Sequence, residues 1–360
     1  MSTRILDFRK ERKLQPANLL WSLYGAMKSE RAFTAGTTAA ARRWQASTRK
    51  ALADLLGIGA FPDAPLTPQL IEQVDKGDYV REKILIGTTP ESVMPVYVLT
   101  PKNGRKTHPA VLAFHGHGYG VKDIVGLWED GEERGGPDGY HKDFGVALCR
   151  RGFLVAAPEI YCFGERQSDF AHLNSVIGQG TPTTCTHSAM LAFHLGLSVV
   201  GLRVHDGTRL VDYLGTRKDA DVSRLGAMGI SGGGMHTFFS TCIDERIKAC
   251  VVSGYFCSFM HSILAMSHCA CNFVPGLHRF GDIHDLAGLI APRPMLVEAG
   301  SYDPIFPIRA VRQSVRKTRE VYATFGAKDN LATDYFEGRH MISGGKAYDF
   351  LAKELDLGVT

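Results

Sequence analysis

The sequence lacks any run of about eighteen apolar residues, the length that a membrane-spanning helix requires. It also lacks a strong charge of one sign, because 41 Lys and Arg against 37 Asp and Glu leave a net charge of +4. That balance is too weak for a surface that attracts nucleic acid or anionic lipid. The charged start of the chain contains no apolar core of the secretory type. We therefore expect a cytoplasmic protein that binds neither nucleic acid nor membrane.

Cysteine is present, but its pattern argues against both disulfides and metal. The eight cysteines stand mostly among apolar neighbours, which favours reduced and buried thiols. Cys269 and Cys271 lie beside His268 and could be read as metal ligands. Structural zinc usually needs two ligand pairs at wider spacing, and no second pair is evident. We therefore expect no metal.

Two regions of different character follow one another along the chain. Residues 1–75 are predicted to be an N-terminal helical extension, in which apolar residues recur at helical spacing and Gly57 is a plausible stop. A proline-rich linker covers residues 61–68. The helical spacing is carried by Trp44, Ala51, Leu52, Leu55 and Leu56.

Residues 76–360 are predicted to form an α/β domain with a doubly wound, mostly parallel sheet, because short apolar runs alternate with helical segments. Tyr79–Ile86 and Met94–Thr100 are expected to form an antiparallel pair. The central strands are predicted at Ala110–Phe114, Phe153–Ala157, Leu225–Ile230, Ala249–Ser253, Pro294–Ala299 and Val321–Phe325. The helices are predicted at about 138–150, 187–215, 235–243, 308–319 and 344–355.

Two segments interrupt this alternation and are interpreted as insertions. Residues 117–137 are rich in glycine and charge, and residues 254–283 mix aromatics, methionines, cysteines and histidines. Insertions at the carboxyl ends of strands are where an α/β sheet builds its binding site. Large apolar residues of the second insertion are therefore candidates for the walls of a substrate pocket, although packing the insertion against the core is an equally open role. They are Phe256, Phe259, Met260, Met266 and Phe273.

A Gly-x-Ser-x-Gly motif is formed by Gly229, Ser231 and Gly233, between a predicted strand and a predicted helix. A serine in that position sits on a sharp turn, which the small neighbours permit. The turn exposes its hydroxyl at the carboxyl end of the sheet. The next N–H, that of Gly232, lies at the helix N-terminus and is a candidate oxyanion donor. This setting favours a nucleophile over a simple glycine-rich turn.

A serine nucleophile requires a base and an acid, which follow it along the chain in this type of fold. His340 is the single histidine beyond residue 284, and it lies between an apparent strand and the last helix. Asp303 follows a predicted strand on a loop stiffened by two prolines, so it is the preferred acid. Glu298, inside that strand, is the alternative acid.

A second oxyanion donor is expected from the loop His115-Gly-His-Gly118, directly after an early strand. Its glycines allow the backbone to turn an N–H, that of His117, toward a substrate carbonyl, and each such donor contributes ~10²–10³ in rate. A metal site built from the rings of His115 and His117 is the less favoured reading, because no third ligand lies nearby in the sequence.

Together these residues resemble the α/β-hydrolase superfamily, and further segments resemble its acetyl-xylan-esterase-like and dienelactone-hydrolase-like branch. The resemblance implies an ester hydrolase with a Ser231–Asp303–His340 triad and without metal or organic cofactor. Acetyl xylan esterases differ by a glutamine where Gly232 stands, and dienelactone hydrolases by a cysteine in place of Ser231. The segments that carry the resemblance are residues 157–166, 268–276, 289–294 and the loop of Asp303.

The expected reaction is therefore hydrolysis of a small-molecule carboxylic ester through an acyl-enzyme intermediate. Two other functions stay open: an amidase or peptidase that uses the same triad, and a non-catalytic binding protein that keeps the fold. The N-terminal helices are equally open to capping the site or forming a homo-oligomer.

Overall fold

The computed structural model describes residues 16–170 and 183–357, and they form one nine-stranded sheet with helices on both faces. The strand order is β1-β2-β3-β5-β4-β6-β7-β8-β9. The strands are β1 (Gln69–Asp75), β2 (Tyr79–Thr89), β3 (Ser92–Pro101), β4 (His108–Phe114), β5 (Leu154–Pro158), β6 (Ala220–Ile230), β7 (Ile247–Ser253), β8 (Met295–Gly300) and β9 (Leu331–Phe336). The helices are α1 (Pro16–Ala26), α2 (Thr38–Leu56), α3 (Phe144–Arg150), α4 (Thr184–His194), α5 (Val199–Thr216), α6 (Gly232–Ile243), α7 (Ile283–Leu286), α8 (Ile308–Thr324) and α9 (Ala347–Glu354).

Strands β4 to β9 pair in parallel, whereas β1, β2 and β3 form an antiparallel flank that joins them through β5. The predicted antiparallel pair and the strands predicted from residue 110 to 299 are confirmed. Every residue of β4, β5 and β8 is buried, because helices cover both faces of the parallel part. The predicted α/β fold with a doubly wound, mostly parallel sheet is therefore confirmed.

One predicted strand, Val321–Phe325, is wrong. Residues 321–324 form the end of α8, and the strand at that edge of the sheet is β9. In α8 the apolar residues Val311, Val315 and Tyr322 recur at helical spacing and face the core. A five-residue apolar run cannot by itself distinguish a strand from the end of such a helix.

The N-terminal segment is less separate from the sheet domain than the sequence indicated. Residues 69–75 form a strand, β1, that pairs with β2, and residues 1–15 lie outside the described part of the chain. Helix α2 buries Leu52 and Leu56 in the same apolar cluster as Phe239 of α6. The amide of Gln45 donates to the carbonyl oxygen of Gly288 at 2.7 Å. Helix α2 therefore forms part of the domain core.

The long helix predicted at 187–215 is two helices, α4 and α5, which meet at an angle of 99°. Gly196 has a positive φ of 74° between them, and the Ser198 side chain accepts from the Gly201 N–H at the start of α5. No helix in residues 16–170 or 183–357 is alone long and apolar enough to span a membrane. The α4–α5 pair meets the length and composition criteria only when both helices are taken together.

Candidate active site

Ser231 lies on the turn between β6 and α6, with φ 58° and ψ −120°. Its backbone N–H donates to the carbonyl oxygen of Ser253, the last residue of β7, at 3.1 Å. A positive φ is uncommon for a residue with a side chain, and such strain concentrates at functional sites. The turn places Ser231 at the carboxyl edge of the parallel strands.

The glycines of the motif are required by the close approach of β4. A Cβ on Gly233 would lie 1.9 Å from the carbonyl oxygen of Phe114, and one on Gly229 would lie 2.7 Å from the same oxygen. A Cβ on Gly232 would lie 3.2 Å from the ring of His117 and 3.9 Å from Nη1 of Arg203, and it would meet no backbone atom among its nearest neighbours. The outer two glycines therefore allow the turn to pack, and the middle one lies beneath the His117 ring.

His340 lies between β9 and α9, and the structure brings it to Asp303. The Nδ1 atom of His340 is 2.7 Å from Oδ2 of Asp303. The other oxygen of Asp303 accepts hydrogen bonds from the N–H groups of Ile305 and Phe306, at 2.8 and 3.1 Å. Nε2 of His340 is buried and makes no hydrogen bond within the described residues. The Asp303 carboxylate is thus held by its own loop, and Nε2 of the imidazole stays without a partner within the described residues.

Glu298, the alternative acid, contacts other groups than His340. One of its oxygens accepts from the Ser253 hydroxyl at 2.7 Å and from the Ser343 N–H at 3.2 Å. The other accepts from the Gly344 N–H at 2.9 Å. Burial raises the pKa of Glu298 to about 7 despite these donors. Glu298 therefore connects the end of β7 to the loop that follows His340.

The loop after β4 is held by buried hydrogen bonds on its outer side. The Gly116 N–H donates to Nε2 of His141 at 2.8 Å, and Nδ1 of His141 lies 2.7 Å from Asp123. Burial lowers the pKa of His141, which is consistent with a neutral ring that accepts from Gly116. The Tyr140 hydroxyl donates to the carbonyl oxygen of His117. These contacts fix the backbone on either side of the predicted oxyanion donor.

A pocket of about 360 Å³ joins these groups. Ser231 and His340 both contribute to its wall, although no hydrogen bond links them in this structure. One part of the wall is apolar, and the other carries hydroxyl, amide and imidazole groups. The lining residues are His117, Tyr140, Ser231, Met266, Ser267, His268, Cys269, Asn272, Ile305, Phe306 and His340.

The sequence-predicted substrate-binding residues Phe256, Met260 and Phe273 are not among the residues that line this pocket, so their role in substrate binding stays a prediction. Phe256 is buried in the core, where its ring packs edge-on against Phe238 at 5.7 Å. Met260 is 37% exposed, and Phe273 lines a separate cavity of about 230 Å³. The insertion reaches the Ser231 pocket instead through the stretch from Met266 to Cys269. Met266 is thus the one pocket candidate from this insertion that the structure places there.

Four metal-ligating side chains meet beside this pocket. The donor atoms of His117, Cys185, Cys269 and Cys271 all lie within 4.8 Å of one another. The sequence argument against a metal was that no second ligand pair accompanies Cys269 and Cys271, but the fold brings two further potential ligands beside them. The fold supplies His117 from the loop after β4 and Cys185 from the first turn of α4. His115, in contrast, contacts the Gly116 carbonyl oxygen, the Ile160 N–H and, at 3.1 Å from its Nε2, the carboxylate of Glu159.

Comparison with known proteins gives one family and several related structures. The sequence pattern of the Abhydrolase family matches residues 7–321. A Bacillus subtilis (strain 168) protein named "Putative hydrolase YtaP" is 28% identical over 296 residues, which are 79% of this chain and 90% of that protein.

Two solved structures show the same fold. A "putative acetyl xylan esterase" from Bacteroides fragilis is 19% identical with a TM-score of 0.74, over 90% of this chain and 83% of its own. A glucuronoyl esterase from Solibacter usitatus is 15% identical with a TM-score of 0.58, over 84% and 91% of the two chains. At these identities the likeness is one of fold, and it confirms the α/β-hydrolase architecture.

Proposed function

This chain belongs to the Abhydrolase family, and on that premise we propose that it is a serine hydrolase of carboxylic esters. The observation that carries the proposal is the shared pocket of Ser231 and His340, with Asp303 at 2.7 Å behind the imidazole. A nucleophile, a base and an acid that orients the base are the minimum set for this chemistry.

The first half of the reaction is acyl transfer to Ser231. Nε2 of His340 takes the hydroxyl proton while the serine oxygen attacks the ester carbonyl carbon. Asp303 accepts a hydrogen bond from Nδ1 and stabilises the imidazolium that forms. The imidazolium then gives its proton to the leaving alcohol, and the acyl group remains on Ser231.

The anion formed on the carbonyl oxygen needs donors that are already in place. The Gly232 N–H is at the first residue of α6, where the helix dipole favours negative charge. The His117 N–H belongs to a loop whose neighbouring groups are fixed by His141 and Tyr140. We assign these two N–H groups to the oxyanion hole, each with a contribution of ~10²–10³ in rate.

The second half of the reaction releases the acid. His340 takes a proton from water, the hydroxide oxygen attacks the acyl carbon, and the serine oxygen leaves with the proton from the imidazolium. The products are one alcohol and one carboxylic acid, and the enzyme returns to its starting state.

The decisive experiment compares wild type with Ser231→Ala on p-nitrophenyl acetate. We expect a loss of at least 10³-fold in kcat, because the nucleophile is removed. Ser223→Ala is the matched control, since Ser223 lies near the start of the same strand and bonds to Asp221. A folded Ser231→Ala protein with wild-type turnover would refute the proposal.

Two further measurements separate the competing functions. A fluorophosphonate probe should label wild type but not Ser231→Ala, whereas a non-catalytic binding protein would resist labelling in both forms. Matched ester and anilide substrates distinguish an esterase from an amidase, because amines are the poorer leaving groups. A panel of acyl esters of graded length, with acetylated sugars included, then identifies the substrate class.

A further inference from the structure

Four potential metal ligands converge behind the pocket wall from three distant parts of the chain. His117 comes from the loop after β4, Cys185 from α4, and Cys269 and Cys271 from the second insertion. Cys185 and Cys271 are buried, and the other two are half-buried. This convergence is a product of the fold, since 68 residues separate His117 from Cys185 and 84 separate Cys185 from Cys269.

The four donor atoms lie close enough to one another to surround one small ion. Zinc bound to thiolates at about 2.3 Å and to imidazole at about 2.0 Å separates its donor atoms by about 3.5–3.8 Å. Sγ of Cys271 is 3.9 Å from Nε2 of His117 and 3.1 Å from Sγ of Cys269. The ring of His117 is oriented for metal binding through Nε2. Its Nδ1 side lies over Gly232, while Nε2 faces the thiol of Cys271.

A buried cation beside the cluster provides independent support. Arg203 is fully buried, and its Nη2 lies 3.0 Å from the Tyr161 carbonyl oxygen and 3.9 Å from Sγ of Cys185. Its Nη1 makes no hydrogen bond, and its guanidinium lies 5.3 Å from the centre of the Phe163 ring. No carboxylate within the described residues forms an ion pair with it. A buried charge without a counter-charge is strongly unfavourable.

The charge of a zinc site would compensate this arginine. Three thiolates, one neutral imidazole and one Zn²⁺ carry a net charge of −1, equal and opposite to that of Arg203. Neutral thiols alone would leave the guanidinium without a counter-charge. The donor set also matches the Cys₃His type of structural zinc site, because sulfur and imidazole nitrogen are the ligands that zinc prefers.

We propose that His117, Cys185, Cys269 and Cys271 bind one zinc ion. Binding releases the thiol protons to solvent and changes no oxidation state. Four protein ligands complete the tetrahedron, so the ion is structural and does not activate water. It connects the loop of the His117 N–H to helix α4 and to the insertion that lines the pocket.

Metal content of the full chain tests this inference directly, and it does so independently of hydrolytic activity. Protein purified without chelators from zinc-supplemented medium is expected to contain about one zinc per chain by mass spectrometry of the metal. Cys185→Ser and Cys271→Ser are each expected to lower that content at least tenfold. Cys149→Ser is the matched control, because Cys149 is also buried but lies in α3, in a different apolar cluster from Cys185 and Cys271.

Three results would overturn the proposal. The first is wild-type protein with less than about one tenth of a zinc per chain after incubation with excess zinc. The second is an unchanged zinc content in both ligand variants. The third is a mass of the intact protein lower by two hydrogen atoms, with a disulfide mapped within the cluster.

Cobalt spectroscopy tests the site in the wild-type protein alone, so it remains informative even if a cysteine variant fails to fold. Wild type reconstituted with Co²⁺ should show the thiolate-to-metal charge-transfer and tetrahedral ligand-field absorption bands of a cysteine-rich site. Spectra that show only octahedral Co²⁺ would contradict the proposal. An inactive protein that contains zinc would count against the proposed esterase alone.

Discussion

Asp303 orients the ring of His340 at 2.7 Å, and it is itself held by the N–H groups of Ile305 and Phe306. Asp303 is 6% exposed, so its carboxylate has little freedom to turn toward solvent. The pair therefore presents one fixed imidazole orientation to the pocket. This arrangement distinguishes Asp303 from Glu298, which bonds to the loop beyond His340.

Exchange of Asp303 for asparagine tests which acid serves the imidazole. We expect Asp303→Asn to lower kcat on p-nitrophenyl acetate by about 10³–10⁴-fold, because the amide disfavours the required tautomer and cannot stabilise the imidazolium. The comparison variant is Glu298→Gln, expected to lose less than about tenfold at neutral pH, in line with the loss of one hydrogen bond. A larger loss in Glu298→Gln than in Asp303→Asn would assign the acid to Glu298.

The buried Glu298 makes stability depend on pH. Its pKa is about 7 in the folded protein and near 4.5 when exposed, so the folded state binds its proton more tightly. The free energy of unfolding should therefore fall by up to about 3 kcal/mol as pH rises from about 4.5 to about 7. Urea unfolding at several pH values measures this slope, and Glu298→Gln should flatten it. An identical slope in wild type and variant would show that other groups cause it.

The motif glycines should differ sharply in tolerance of a methyl group. Gly233→Ala brings a Cβ to 1.9 Å from a backbone oxygen of β4 that cannot move away, so we expect a destabilisation of at least about 3 kcal/mol. Gly232→Ala brings its Cβ to 3.2 Å from the His117 ring, a contact that a shift of a few tenths of an ångström relieves, and should cost about 1 kcal/mol or less. Urea midpoints compare the two variants, and equal losses would contradict the proposed packing.

Helix α2 should behave as part of the domain core. Leu52→Ala removes a fully buried side chain and should lower the free energy of unfolding by about 2–5 kcal/mol. Leu19→Ala in α1, where the side chain is 64% exposed, should change it by no more than about 0.5 kcal/mol. Unfolding followed by both fluorescence and circular dichroism should give one transition. Two separate transitions would indicate an independent N-terminal unit.

Much of the fold could be predicted because each central strand combines a short apolar run with glycine-rich or charged flanks. The proximity of His340 and Asp303 could be predicted from chain order, since an acid and a base are expected to follow the nucleophile in this architecture. The predictions that the structure does not follow share one cause: a local sequence pattern does not specify contacts with distant parts of the chain. Val321–Phe325 is apolar enough for a strand, but its partner surface makes it the end of a helix.

The pocket and the cysteine cluster exceed what the sequence could reveal. Phe256 and Met266 are both large and apolar and lie ten positions apart, yet only the second lines the pocket. Which of the two side chains reaches the pocket depends on the backbone path of residues 254–283, and this insertion has no regular hydrophobic periodicity. No pattern in the sequence marks Cys185 as a metal ligand, because it comes close to His117 only when α4 packs in the folded protein. Ligands that are far apart in sequence can be recognised as one cluster only in the folded structure.

The strained backbone of Ser231 has a consequence for selection and engineering. A positive φ at a residue with a side chain costs about 1–3 kcal/mol, and glycine would relieve most of it. Under the proposed mechanism, glycine at this position would thus raise stability and abolish activity together. If Ser231 is the nucleophile, selection for melting temperature alone would enrich inactive variants, so thermal stabilisation of this enzyme requires selection for turnover at the same time.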